Sequence, residues 1–563
     1  MHTILIHLIN DKRTPAPSMP LRRLKDLPLL LLAGLLVLPL LAIVASWFSW
    51  SAASGQILRE MATTVLPDYA LTSLVLCLAV GLGAALVGTA AAAAVTLFDF
   101  PGRRIFEWAL LLPLAMPAYV VAYAYTDFLQ FSGPLQGWIR AAFGLEGRVF
   151  PEVRSLWGAV LVFVVSLYPY VYLLVRTALA ERAPQLMEAA RLLGAPLAGR
   201  IGRVALPLAR PAVTAGVALA LMETLADFGV ASYFGIQTFS TGIYKAWLAM
   251  DNRVAAAQLA TLLLVVVAVL LALETRAQKR LRFAGGRARG GAEAQPVRLR
   301  GGALAAAWMT CALPVLLGFV LPVAFMLRPL AADWSVLPWN RFVEWAFNSL
   351  RLGAISATLA VAIAVLLAFR LRRSPGALTR GVVQLASLGY AVPGAVLVVG
   401  LLLPVGWLQA AWPQSGIGYW MTATILGIVW AYLVRFTAVA LQSVQSGYAR
   451  IPASLDDSAR MLGTGGAALL ARVHWPLLNR SAAAAGLLVF VDVMKELPAT
   501  LVLRPFDSDT LAVVAYQLAR DERLGEAALP SLALVLVGLV PVILLSRTLR
   551  SPGAAAAVVA PLR

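Results

Sequence analysis

Two pairs of acids stand out in a 563-residue chain that is 61% hydrophobic and only 13% charged. Glu223 and Asp227 occur in "METLADFGVASYFG", and Asp492 and Glu496 in "VDVMKELPATLVL". Each pair is spaced i, i+4, which places two side chains on one face of a helix. An ionisable group well inside a bilayer costs on the order of 2.5–3.5 kcal/mol by insertion scales, and such groups are as a rule functional or paired. Carboxylate oxygens are the donors that hard cations prefer. Four of them along one route suit a small, highly charged cation, held weakly enough at each step to move on. The plainer reading is a set of interfacial structural pairs. Lys495, beside Glu496 and three residues from Asp492, is placed to neutralise one of them.

The composition says what must position these acids. The mean hydropathy of +0.82 and the low charge content describe a membrane protein. The net charge of +19 does not point to nucleic acid, because Lys and Arg gather in short segments beside apolar runs, as the positive-inside rule arranges them. No basic domain studded with aromatics is present. Cys77 and Cys311 each lie in an apolar run, and the histidines are His2, His7 and His474, so neither a disulfide framework nor zinc-ligand spacing is found. No Gly-x-x-x-x-Gly-Lys-Ser/Thr loop occurs, so no ATP site of that kind is expected in this chain.

Runs long enough to cross a bilayer as helices lie near 27–49, 70–97, 107–128, 155–180, 212–231, 254–274, 303–327, 347–369, 380–403, 419–444, 481–501 and 525–546. The expectation is an all-α polytopic membrane protein of about twelve transmembrane helices. It would comprise a leader 1–26, a first six-span repeat 27–275, a basic linker 276–302, a second repeat 303–547 and a tail 548–563. Bases in the leader, at Arg103 and Arg104, and along the linker "TRAQKRLRFAGGRARGGAEAQPVRLRGG" put both termini and the linker on the cytoplasmic side. The acids then fall toward the outer ends of spans five and eleven. Pro117 and Pro393 read as kinks in spans three and nine, with or without a gating role. Arg176 and Arg435 read as snorkelling bases near inner span ends.

The halves are related. "LPLAMPAYVV" at 112–121 matches "LGYAVPGAVL" at 388–397 at an offset of 276. Further on the offset is 269: "EAARLLGAPLAGRIGRVALP" (188–207) meets "DSARMLGTGGAALLARVHWP" (457–476), and the two acidic pairs superpose. An even number of spans per repeat gives both copies the same orientation, a parallel repeat about an axis along the membrane normal. Each special segment reads as a helix, a Gly break and a second short segment closed by Pro207 or Pro476, lying on the inner face. A basic helix resting on anionic lipid explains one such loop. It does not explain a fixed acid-to-Gly-to-Pro spacing kept twice.

That spacing resembles the EAA loop of binding-protein-dependent ABC transporter permeases. The first copy (loop 181–211) carries it in Glu188, Ala189, Ala190, Gly194, Val204, Leu206 and Pro207; the second (loop 446–480) carries Asp457, Ala459, Gly463 and Pro476 but departs at Ser458 and Trp475. Over about 60–547, "METLADFGVASYFGIQTFSTGIYKAW" and "VDVMKELPATLVLRPFDSDTLAVVAYQLARDERLG" are similar to the fused permeases of ferric iron importers, the Fbp-type family. The resemblance implies a type I ABC importer permease in the bacterial inner membrane that is not itself an enzyme. Each loop would dock one of two ATPase subunits that hold the ATP and Mg, and a periplasmic ferric-binding protein would deliver Fe³⁺. Membrane lipid is the other partner, and nucleic acid is not one. The outer segments 232–253 and 502–524 are the expected docking surface for the binding protein, with ordinary loop packing as the other reading. Permeases for thiamine or phosphonate-like anions share the layout. A secondary transporter is the alternative from another class.

Overall fold

The computed structural model describes residues 19–48, 52–284, 297–332, 334–335 and 337–549. The start of the leader, the middle of the linker and nearly all of the tail lie outside the described residues. Among the described residues eleven helices are long and apolar enough to cross a membrane, or twelve if one bent pair counts as a span. That pair is expected span three. Arg103–Ala115 and Ala118–Phe143 meet at 89° across Met116 and Pro117. Pro117 does not kink a continuous helix: it precedes the first turn of helix Ala118–Leu129, after a 3₁₀ turn Leu112–Ala115. Pro393 does the same in the second half, between the 3₁₀ turn Gly389–Ala391 and helix Gly394–Ala411. Proline fixes its own φ and disfavours helical geometry in the residue before it, so the chain breaks at both places.

Three helices form the heart of each half: α1 (Leu66–Leu97), α2 (Leu156–Leu192) and α3 (Leu206–Ala226) in the first, and α4 (Trp339–Arg373), α5 (Ile425–Tyr448) and α6 (Trp475–Lys495) in the second. Without a hydrophobic driving force inside lipid, such helices associate by close packing of small residues. Gly88 and Gly216 show it: a Cβ on Gly88 would stand 2.8 Å from the Tyr168 carbonyl oxygen, and one on Gly216 2.6 Å from the Val171 Cα.

The leading span of each half leans on the other half. Helix Met19–Ala45 packs along Gly394–Ala411 and Ala377–Leu388, and Leu35 O accepts a hydrogen bond from Trp430 Nε1 at 2.8 Å. The run Gly302–Ala332 packs against Leu66–Leu97, Ala118–Leu129 and the last span, with Gly318 under the Val165 carbonyl. The described parts of the expected linker are not free chain. Helix Arg253–Ala284 runs into it, and Val297–Arg298 pairs in parallel with Phe98–Asp99.

Candidate functional site: an acidic cavity and two repeated loops

All four sequence-singled acids come together. Glu223, Asp227, Asp492 and Glu496 line one cavity of about 210 Å³ between the halves, with Pro117, Tyr119, Ser166, Tyr170, Tyr390, Arg435, Lys495 and Pro498 in the same wall. The i, i+4 reading needs correction. Glu223 lies in α3 and Asp492 in α6, but Asp227 and Glu496 are the residues at which those helices stop, both in extended backbone. Asp227 Oδ2 then accepts from the backbone N–H of Val230 (2.8 Å) and Ala231 (3.3 Å), at the start of helix Gly229–Tyr233. Glu496 does the same for helix Pro498–Leu503, with Ala499 N on Oε1 and Thr500 N on Oε2, both at 3.0 Å. One acid of each pair therefore caps a helix restart, where unsatisfied N–H groups need an acceptor. The other faces the cavity.

Arg435 is a second correction. It does not snorkel but pairs with Glu496 Oε1 at 3.3 Å, its side chain 12% exposed and that of Glu496 2%. Gly394 makes room for the pair, since a Cβ there would lie 3.0 Å from Glu496 Oε1 and 3.2 Å from Arg435 Nη1. Arg176 likewise has a partner, Glu107, at 3.3 Å. Lys495 Nζ reaches across to the carbonyl of Leu114 at 3.0 Å, in the broken span of the first half. Tyr390, at the break of the second half, donates to Glu223 Oε1 at 3.1 Å. Leu114 and Tyr390 correspond at the offset of 276, so each break is tied to the acid-bearing helix of the opposite half. Among the described residues no group of three or more His, Cys, Asp and Glu side chains is arranged to hold a metal ion.

The two repeated loops are built alike at their tips. Glu188, Ala189 and Ala190 end α2, and Gly194 follows with φ +79°. Ala195 N bonds Ala190 O at 3.0 Å, and Gly194 N bonds Arg191 O at 2.9 Å. In the second loop, helix Ala453–Met461 carries Asp457 and Ala459. Gly463 follows it at φ +78°, with Thr464 N on Ala459 O at 2.8 Å. This is a left-handed helix stop, and a Cβ at either glycine would meet nothing within 4 Å, so backbone conformation alone requires the glycine. Glu188 and Asp457 each face the arginine three residues on at 3.5 Å, exposed pairs that add little.

Beyond the glycines the expected second segment is not closed by proline. Leu197–Ala226 and Gly466–Lys495 are continuous 30-residue helical runs. Each contains a π-helical turn, Ile201–Ala205 or Leu470–His474, just before Pro207 or Pro476. A proline clashes with the carbonyl four residues back in a regular α-helix, and the wider turn relieves this. The first loop's helix is the end of 37-residue α2, whereas Pro452 makes the second loop's helix separate. Sequence reading missed what the tips present: Leu192 and Leu193 are 81% and 88% exposed, and their equivalents Met461 and Leu462 88% and 85%. Their place in the repeat was visible, but not their exposure.

The second loop is also clamped. Asp456 accepts from Arg372 Nε at 2.8 Å and Nη2 at 3.0 Å, and His474 Nε2 lies 3.0 Å from it. Hydrogen bonding by Arg372 holds the Asp456 carboxyl below the usual carboxylate range despite its burial, with His474 adding to the effect.

The expected outer docking segments turn much of their surface inward. Ser232 and Tyr516 hydroxyls lie 2.8 Å apart across the halves, Tyr244 bonds the Pro498 carbonyl, and Arg154 pairs with Glu522 at 3.3 Å. Met250 and Phe506, 62% and 93% exposed, remain outside that packing.

Residues 78–283, which hold the first loop and its flanking spans, match the family model for the binding-protein-dependent transport system inner membrane component. The matched segment is the greater part of the first repeat. This permease is 26% identical over 481 residues to the Fe(3+)-transport system permease protein FbpB 2 of Haemophilus influenzae, covering 84% of this chain and 88% of that protein. It is 29% identical over 238 residues to the putative 2-aminoethylphosphonate transport system permease protein PhnU of Salmonella choleraesuis, taking in 41% of this chain and 82% of the relative. A third similarity, 30% over 203 residues, is to the probable sulfate transport system permease protein cysT of Chlorokybus atmophyticus, covering 35% of this chain and 65% of that protein. The permease is thus an inner-membrane subunit of a binding-protein-dependent importer.

Proposed function

We propose that this permease carries ferric iron inward, handed over by a periplasmic ferric-binding protein and driven by two ATP-binding cassette subunits that hold the ATP and Mg. The observation that carries the reading is the cavity, where four carboxylates face two bases, Arg435 and Lys495. The excess of negative charge favours a cation and repels oxyanions, and oxygen donors suit a hard ion. The similarity to an Fe(3+)-transport permease over 84% of the chain supports the same choice. Few ligands converge at any one point, which suits a path that releases its ion rather than a cage that keeps it.

The twin inner loops supply the drive. Leu192, Leu193, Met461 and Leu462 stand out from the helix ends like knobs, suited to apolar clefts on two ATPase subunits. Closure of the ATPase pair would pull both loops together and rock the halves about the cavity. In this reading both loops, both termini and the linker are cytoplasmic.

A phosphonate or sulfate importer is the second reading, favoured by Arg435 and Lys495 in the cavity and by the relatives of those names. The test is reconstitution in proteoliposomes with an ATPase and a secreted binding protein from the surrounding genes. Iron, thiamine, 2-aminoethylphosphonate and sulfate are offered in turn. ATP-dependent uptake of iron alone is expected. Uptake of an anion in its place moves the assignment to the second reading, and transport on an ion gradient without any ATPase defeats both.

A further inference from the structure

The acids of the cavity are symmetric between the halves, but their compensation is not. At the offset of 269, Arg435 falls on Ser166 and Lys495 on Ala226. In the second half Arg435 pairs with Glu496 at 3.3 Å, and Lys495 follows Asp492 by one helical turn on α6. The first half has neither base. Among the described residues Glu223 has the Tyr390 hydroxyl as its hydrogen-bond partner, and Asp227 has two backbone N–H groups. Ser166 is 3% exposed and lines the same cavity, and its hydroxyl has no hydrogen-bond partner. Buried polar groups are ordinarily paired, and a buried carboxylate is costly without a cation. The first-half wall is therefore the part of the cavity whose negative charge and spare oxygen donors are left to a ligand.

We propose that the cavity binds its cation against the first-half wall: Glu223 and Asp227 supply the charge, Ser166 and the Tyr390 hydroxyl that reaches over from the second half supply neutral oxygens, and the second-half acids are neutralised internally. The ligand class is a multivalent, oxygen-preferring cation. The inference rests on the reading of this cavity as a cation path. It goes beyond that reading by making Ser166 and Ala226 the residues that keep one wall free of built-in positive charge. Installing the second half's bases in the first half should abolish the site, because a fixed cation would then compete with the mobile one.

The test uses the whole importer complex in proteoliposomes, with radiolabelled ferric citrate as the probe for both ATP-driven uptake and iron retained without ATP. Ser166→Arg, Ala226→Lys, Glu223→Gln and Asp227→Asn should each lower retention roughly tenfold or more, the effect of one lost or added charge contact in a site screened from water. Ser166→Ala, which adds no bulk, should lower it severalfold. Joint removal of the second-half pair by Asp492→Asn with Lys495→Met should cost clearly less than either Glu223→Gln or Asp227→Asn. Size-exclusion chromatography confirms that each variant stays assembled with its ATPase. Equal losses from first-half and second-half acids, or wild-type retention in an assembled Ser166→Arg complex, overturn the one-sided site and leave the iron reading standing. A wild-type complex that neither retains nor imports iron overturns both.

Discussion

Asp456 shows how one residue distinguishes loops that read as near copies. At the offset of 269 its first-half equivalent is Met187, and that of His474 is Ala205; both are buried. An apolar contact in one loop is thus a polar clamp in the other. Because Arg372 keeps the Asp456 carboxyl depressed, its contribution to stability is complete above the ordinary carboxylate range and is lost as pH falls through the lowered value. Thermal unfolding in detergent should therefore be unaffected by this group at mildly acidic pH and fall only in stronger acid. Arg372→Met leaves the buried carboxylate with His474 as its remaining side-chain partner and should cost about 1–3 kcal/mol at neutral pH, seen as a lowered melting temperature; an unchanged one removes the clamp from the account. Gly394 makes a second case. A Cβ there would stand 2.7 Å from the Pro498 Cβ besides crowding the Arg435–Glu496 pair, so Gly394→Ala should destabilise by about 1–3 kcal/mol and depress uptake. The equivalent residue in the first half is already Ala118, where no arginine pair has to fit, and Ala118→Gly should cost less.

At the scale of elements, the repeated loops combine a glycine-stopped helix, an exposed apolar pair and a run that resumes through a π-helical turn. The helix stops hold the knobs where a partner can reach them. Leu193→Glu with Leu462→Glu places a charge on each knob without touching the packed core, so the permease should still insert and fold. Its ATPase should no longer co-purify from solubilised membranes. Retention of the ATPase at wild-type yield would falsify the docking role of these tips. The difference between the loops also follows from local chemistry. The first is the end of 37-residue α2, so motion of its tip passes along one rigid rod into the cavity wall at Tyr170. The second is separated at Pro452 and linked to α4 by Arg372 instead.

For the whole molecule, three contacts near the cavity cross between the halves. The Ser232–Tyr516 hydroxyl pair, the Tyr244–Pro498 bond and the Arg154–Glu522 ion pair all join first-half to second-half outer segments. In the proposed reading, opening toward the binding protein parts these contacts together. Tyr516→Phe removes one hydrogen bond, a net effect of about 1 kcal/mol, and leaves the ring packing against Phe228 in place. Outer opening should become easier, and ATP hydrolysis without binding protein should rise severalfold in proteoliposomes. Hydrolysis that stays at the wild-type level shows that this contact does not gate the path.

By itself the sequence determined that the chain is a helical membrane protein, that it repeats, and which residues recur at fixed offsets, because hydropathy and spacing are local properties written in order along the chain. It therefore identified Glu188, Gly194, Asp457 and Gly463 at the loop tips and all four acids of the cavity. It misplaced Arg435 as a snorkelling base and read Asp227 and Glu496 as helical, since a residue's partner across 61 positions and the place where a helix stops depend on what packs around them. Only the tertiary structure brought Tyr390 of one half to Glu223 of the other and left Ser166 facing them unpaired. Those contacts arise where the two halves meet, and no periodicity within either half encodes them.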